Sequence, residues 1–209
     1  MVVAIDGPAG AGKSTVARLL AERLGFRYLD TGAMYRAVTW LALREGVDLD
    51  DEEAVAGLAA DHPVDLGEER IEIAGHDVTT AIRDVEIDRV VSSVARHPSV
   101  RAIMRERQRE LAAAGDAVIE GRDIGRVVCP AAEVKIFLVA AADERARRRT
   151  AERPGIGADA LATDLRLRDE RDAPNLQAAP DAETIDTTDV PIEDVVARIE
   201  QMIAARARA

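Results

Sequence analysis

The sequence predicts an α/β fold, a five-stranded parallel sheet with helices on both faces. Three observations predict it. Short apolar runs alternate with stretches of helical periodicity. The first run, Met1-Val2-Val3-Ala4-Ile5, leads directly into the glycine-rich string Gly7-Pro8-Ala9-Gly10-Ala11-Gly12-Lys13-Ser14. Residues 134–139 are almost continuously apolar, as a strand buried on both faces is.

The elements follow in order. Residues 1–6 read as the first strand. Val16, Leu19, Leu20 and Leu24 recur at helical spacing after Lys13, and Gly25 ends that helix as a left-handed cap. Residues 26–30 read as the second strand. Asp30 or Thr31 caps a helix from Gly32 to Glu45, which Gly46 stops. An acidic helix is expected over 51–60, and a small hairpin over 64–79, where Arg70-Ile71-Glu72-Ile73 alternates and Gly75 turns the chain. Helices over 84–96 and 99–114 are separated by His97-Pro98. Residues 116–120 are a short strand ending in Glu120, and 134–139 the next strand. Arginine-rich helices are expected over 143–152 and 158–171, and a loop over 172–181. A last strand over 183–186 and a closing helix over 192–207 complete the chain.

Composition narrows the functional classes. A net charge of −11 argues against a general nucleic-acid surface. Only two of the 28 basic residues are lysines, so a lysine inside the glycine-rich string is unlikely to be accidental. Cys129 stands alone, which excludes an internal disulfide and fits a reducing, cytoplasmic location. No stretch is long and apolar enough for a membrane span.

The string at 7–14 has the form G-x-x-x-x-G-K-[ST]. Gly7, Gly10 and Gly12 tolerate backbone angles that let successive N–H groups turn inward around an anion. Lys13 brings a point charge to terminal phosphates, and the Ser14 hydroxyl suits Mg²⁺. A helix starting at Lys13 adds its positive end. Strand, glycine-rich turn and helix together form the context of a nucleotide-binding loop. The expected nucleotide-binding residues are Gly7, Pro8, Ala9, Gly10, Ala11, Gly12, Lys13, Ser14 and Thr15.

Ligands of open α/β sheets sit beyond the carboxyl ends of the strands. The loop at 7–14, Asp30 and Glu120 all occupy such ends, so one crevice should gather them. Glu120 is expected beside Ser14 on the metal side. Gly121-Arg122-Asp123-Ile124-Gly125 reads as a tight, exposed turn that presents opposite charges. An arginine fork suits a phosphate, and an aspartate can accept from an amino group on a base. Arg36 lies one turn into the helix that Asp30-Thr31 opens, and can reach an anion. Moving a phosphoryl group between two polyanions is mainly positioning and charge neutralisation. Arg36 and Arg122 are therefore candidates for an acceptor phosphate. Arg145, Arg147, Arg148, Arg149 and Arg153 are candidates for a closing lid, since five cations in nine residues repel unless an anion visits.

With GPAGAGKS, DTGAMYR at 30–36, EGRDIG at 120–125, VKIFL at 134–138 and RLRDERD at 166–172, the chain resembles bacterial cytidylate kinases nearly from end to end. The resemblance implies a phosphate-loop fold of the nucleoside monophosphate kinase type. It implies transfer of a phosphoryl group from ATP to CMP or dCMP with Mg²⁺, and no nucleic-acid polymer or membrane as partner. It implies one kinase domain with a core of 1–60 and 84–209, an acceptor-binding insertion at 61–83 and a lid at 145–172. A monomer is expected. Position by position, Arg36 and Arg122 match arginines on the CMP phosphate. Ser92, Arg101 and Asp123 match residues that read the cytosine edge. Arg168 and Asp172 match residues near the ribose and the transferred phosphate, and Thr31 joins the substrate-binding set. Lys13, Arg36, Arg122 and Arg168 are the expected catalytic residues, and Ser14 and Glu120 the metal side. The run Ala173–Pro180 departs from the family, lacking a further arginine after Asp172, so one acceptor contact is missing or supplied elsewhere.

Other readings stay open from the residues alone. They are a kinase for another nucleoside monophosphate or a small metabolite, a phosphate-loop ATPase acting on a macromolecule, and a nucleotide sensor without turnover. A GTPase is disfavoured, because no N-K-x-D string occurs.

Overall fold

The structure is a computed structural model that describes residues 1–67, 70–153 and 155–206. Residues 68 and 69 of the expected hairpin, Pro154 of the expected lid and Ala207 of the expected closing helix lie outside the described residues. The chain divides into two compact units, one of residues 1–28 and 115–209, the other of residues 29–114.

The first unit is built on the sheet. Its strands are β1 (Val2–Asp6), β6 (Ala117–Gly121), β7 (Val134–Val139) and β8 (Glu183–Asp186). β2 (Arg27–Asp30) begins in this unit, and the sheet order is β2-β6-β1-β7-β8. β1 lies parallel between β6 and β7, and β7 pairs parallel with β8. The predicted sheet is therefore present, with its phosphate loop leaving the central strand. α1 (Lys13–Leu24) and α8 (Ile192–Arg206) cover one face. There Val16, Leu20, Val196 and Ile199 pack on Val3, Ile5, Val118, Ile136 and Leu138. Ala4 and Ile119, which alternation places on the opposite face, are equally buried. Double-sided burial explains why β1 and β7 read as apolar runs. α6 (Ala142–Glu152) and α7 (Ala158–Asp172) complete the unit's long helices, and Gly25 ends α1 in the left-handed conformation expected of it.

The second unit holds α2 (Thr31–Glu45), α3 (Glu52–Asp61), α4 (Val85–Ala95) and α5 (Pro98–Ala113). Asp30 accepts the Ala33 N–H and caps α2, and Asp51 caps α3 through the Ala54 N–H. Met34, Val38, Leu41, Val55, Val94 and Met104 fill a separate core. The region read as a hairpin is a three-stranded antiparallel sheet of β3 (Asp65–Leu66), β4 (Ile71–Ile73) and β5 (His76–Asp77). Ala74 and Gly75 form its two-residue turn, both with positive φ, 52° and 73°. Such turns favour Asn-Gly, and an alanine there is strained. Ala74→Asn should stabilise the protein by about 0.5–1 kcal/mol. Urea unfolding measures this; an unchanged or lower midpoint would count against the strain.

Candidate active site

At the carboxyl end of β1 the chain turns at Gly7, whose φ is 146°. A Cβ there would lie 2.2 Å from the Leu138 carbonyl oxygen, so only glycine lets the loop pass β7. A Cβ on Gly10, with φ of 77°, would meet the Arg145 Cβ at 3.0 Å. α1 then starts at Lys13 without a side-chain cap. Its first N–H groups and its positive end are thus available to an anion.

Lys13 is buried, and its ammonium donates to the Pro8 carbonyl oxygen at 2.8 Å. Burial lowers it from the ordinary 10.5 to about 7, and the nearby Arg122 and Arg168 push the same way against Glu120 and Asp6. A phosphate held by the loop would favour the charged form of Lys13 against the burial that opposes it. A stability consequence follows. Between about pH 7 and 10.5 the unfolded chain holds the Lys13 proton and the folded chain releases it, so the unfolded state binds more protons. Folding stability from this group must rise with pH across that window. The gap in Tm between the native protein and Lys13→Met should shift in favour of the native protein from pH 7 to 9. A constant gap in thermal unfolding would contradict it.

Ser14 and Glu120 come together as expected. The Ser14 hydroxyl donates to Glu120 Oε2 at 2.9 Å, and the Tyr28 hydroxyl donates to Oε1. The oxygen-only donor set of Ser14 and Glu120 fits Mg²⁺, which takes one or two carboxylates and fills its shell from phosphate and water.

The segment after Glu120 is not the exposed turn the sequence suggests. Asp123 is buried, and Ile124–Val128 winds into a π-helix. Arg122 Nε donates to Asp172 Oδ2 at 2.9 Å and its Nη1 to the Gly7 carbonyl oxygen at 3.0 Å. Arg168 Nε lies 3.8 Å from the same Asp172 oxygen. Arg122, Arg168 and Asp172 thus meet, with the phosphate loop's first residue among them.

The arginines of α6 also have a different arrangement from the one expected. Arg145, Arg147, Arg148 and Arg149 each have an acidic partner within the chain. Glu144 accepts from Arg147 and Arg148, which hold its carboxyl down to about 2. Arg149 pairs with Glu152 at 3.0 Å. Arg145 is buried, pairs with Asp169 at 2.8 Å and donates to the Ala9 carbonyl oxygen at 3.1 Å. Arg148 donates to the Thr187 hydroxyl at 3.0 Å and, at 3.5 Å, to the Gly10 carbonyl oxygen. Arg145 and Arg148 therefore fasten α6 to the phosphate loop.

In the second unit Arg36 pairs with Asp88 of α4 at 2.5 Å. Ser92, also buried, lies one turn further along α4. Arg101 donates to the Ala95 carbonyl oxygen at 3.3 Å, and Thr31 is buried at the start of α2. Arg36 is thus brought onto the helix that carries Ser92. Sequence reasoning missed Asp88, Tyr28, Asp169, Thr187 and Asp6. Asp6 had a signal, since like Glu120 it is an acid ending an apolar strand. The others act across long sequence separations and carry no local signature.

The chain is similar to known proteins over nearly its whole length. A family model described as Cytidylate kinase matches residues 3–205. The curated "Cytidylate kinase" of Bacillus licheniformis is 46% identical, the match covering 100% of this chain and 98% of that protein. The curated "Cytidylate kinase" of Geobacillus sp. (strain WCH70) is 48% identical over 98% of this chain and 96% of that protein. Among solved structures, a shikimate kinase from Bacteroides thetaiotaomicron superposes with a TM-score of 0.53 over 98% of each chain. At 17% identity that likeness concerns the fold alone.

Proposed function

The chain belongs to the cytidylate kinase family, and from that membership we infer its reaction, transfer of the γ-phosphoryl group of ATP to CMP or dCMP, giving ADP and CDP or dCDP. The observation that carries the donor assignment is Lys13, a buried cation beside Arg122 and Arg168 at the start of an uncapped helix. A triphosphate would favour the charged form of Lys13 against the burial that opposes it.

The residue roles form a chemical scheme. Residues 7–15 hold the ATP phosphates, with backbone N–H groups and Lys13 on the terminal ones. Ser14 and Glu120 hold the metal side. When bound, Mg²⁺ neutralises charge on the phosphate oxygens. Arg36 and Arg122 hold the CMP phosphate, which lets Arg122 exchange its bond to Asp172 for one to the acceptor. Ser92, Arg101 and Asp123 read cytosine: Asp123 accepts from the base's amino group, and Ser92 and Arg101 satisfy N3 and O2. Thr31 contributes to this binding. Arg168 and Asp172 serve the ribose and the transferred group. An oxygen of the CMP phosphate forms the new bond to the γ-phosphorus, and the bond to the β–γ bridging oxygen breaks, releasing ADP. No general base is required, because the acceptor phosphate is already ionised at neutral pH. The insertion at 61–83 and the lid at 145–172 are assigned to acceptor binding and closure. The protein is assigned to the cytoplasm as a monomer; among the described residues no helix is long and apolar enough to cross a membrane.

Phosphorus NMR of a mixture of ATP, CMP and Mg²⁺ tests the reaction. CDP and ADP should appear in equal amounts. ADP and inorganic phosphate without CDP would identify an ATPase instead.

A further inference from the structure

Asp6 ends β1 and is 3% exposed. Its two carboxylate oxygens have separate tasks. Oδ1 accepts the Ile124 N–H and Oδ2 the Gly125 N–H, each at 2.8 Å. These are the first N–H groups of the π-helix, directly after Arg122 and Asp123. The Asp123 carbonyl oxygen accepts the Val127 and Val128 N–H groups, which fixes the register of the turn. Arg122 is tied to the residue that follows Asp6 through the Gly7 carbonyl oxygen.

A buried carboxylate is costly unless it is hydrogen-bonded or paired. The strand does not need this one, because β1 is already paired on both sides. The scheme above gives it no role, although it is one of the charges beside Lys13. What it does hold is the turn beside the acceptor residues.

We propose that Asp6 is a positioning residue for the acceptor: its carboxylate grips the turn that presents Arg122 and Asp123, and so sets where the acceptor's phosphate and base are held. This rests on the acceptor roles given to Arg122 and Asp123 above. The grip requires two acceptor oxygens. Asparagine at this position offers one, and turns an amide donor toward the other N–H. A protonated aspartic acid fails in the same way. Burial pushes the Asp6 carboxyl up to about 6, with Asp123 acting in the same direction and Gly125, Ile124 and Lys13 opposing. Because the folded pKa is raised, the grip is present above about pH 6 and weakens as pH falls through it.

Steady-state kinetics of Asp6→Asn and Asp123→Ala, run side by side, test the proposal. Asp6→Asn should raise the CMP KM about tenfold or more and leave the ATP KM within about twofold, since one buried charge-assisted bond is lost on the acceptor side. If Asp123→Ala raises the CMP KM and Asp6→Asn does not, or if Asp6→Asn moves both KM values equally, the positioning role is wrong and the acceptor assignment stands. If Asp123→Ala leaves the CMP KM unmoved, the acceptor assignment fails and this inference fails with it. A measurement on the native protein guards against misfolding of the variant. The Ile124 and Gly125 amide resonances should move together with a midpoint near pH 6. Amides that stay fixed from about pH 5 to 7 would overturn the grip.

Discussion

Lys13→Ala is expected to lower kcat by about a thousandfold while leaving the protein folded. Both halves follow from the same burial. In a water-poor site a point charge on the terminal phosphates acts strongly, and its removal weakens the transition state more than the ground state. Without nucleotide the same charge is a liability. Burial pushes it down to about 7, and Arg122 and Arg168 repel it. The Lys13 ammonium donates to the Pro8 carbonyl oxygen, a loop group that is only half-buried. Truncation removes that cost, while Glu120 keeps its hydrogen bonds from Ser14 and Tyr28 and Asp6 those from the Ile124 and Gly125 N–H groups, so the Tm of the variant should equal or exceed that of the native protein near pH 7. Stopped turnover with an intact circular dichroism spectrum and unfolding transition is the expected result. A normal kcat would remove the phosphate loop from the mechanism. Loss of the fold would contradict the account of Lys13 as a strained cation.

Asp123→Ala is expected to raise the CMP KM and to cut discrimination between CMP and UMP by about 10- to 100-fold. Cytosine presents an amino donor where uracil presents a carbonyl. A buried carboxylate rewards the first and repels the second, so deleting it loses both effects. Asp123 is buried, so water does not screen this choice. The variant's own backbone bonds to Val127 and Val128 need no side chain, so the turn can survive the change. Initial rates across both nucleotides at several concentrations give the ratio. Unchanged discrimination would count against cytosine reading by this residue.

Much of the sheet was legible because its physics is local. β7 and β8 occupy the residues expected, 134–139 and 183–186, and Gly25 and Gly46 stop α1 and α2 in left-handed conformations. Apolar period, capping side chains and glycine stops are all written within a few residues. The π-helix at 124–128 was not legible. Its i to i+5 bonds leave no distinct apolar period, and what holds it is Asp6, more than a hundred residues earlier in the chain. The α6 arginines show the opposite error. Glu144 stands three and four residues before Arg147 and Arg148, a spacing that predicts pairing, yet the run reads first as a block of cations. Arg145 with Asp169 and Arg148 with Thr187 needed the folded chain. At the site, Ser14 and Glu120 were legible from motif and strand end, whereas the meeting of Arg122, Arg168 and Asp172 depends on how α7 returns to the loop.

The central claim is that the phosphate loop serves a reaction whose acceptor is a cytidine monophosphate. ADP formation measured with ATP and Mg²⁺ against CMP, dCMP, UMP, AMP and shikimate tests it most directly. CMP and dCMP should give the highest kcat/KM, and ADP should form only slowly without an acceptor. A better rate with any of the other three, or an acceptor-free rate equal to that with CMP, would contradict it.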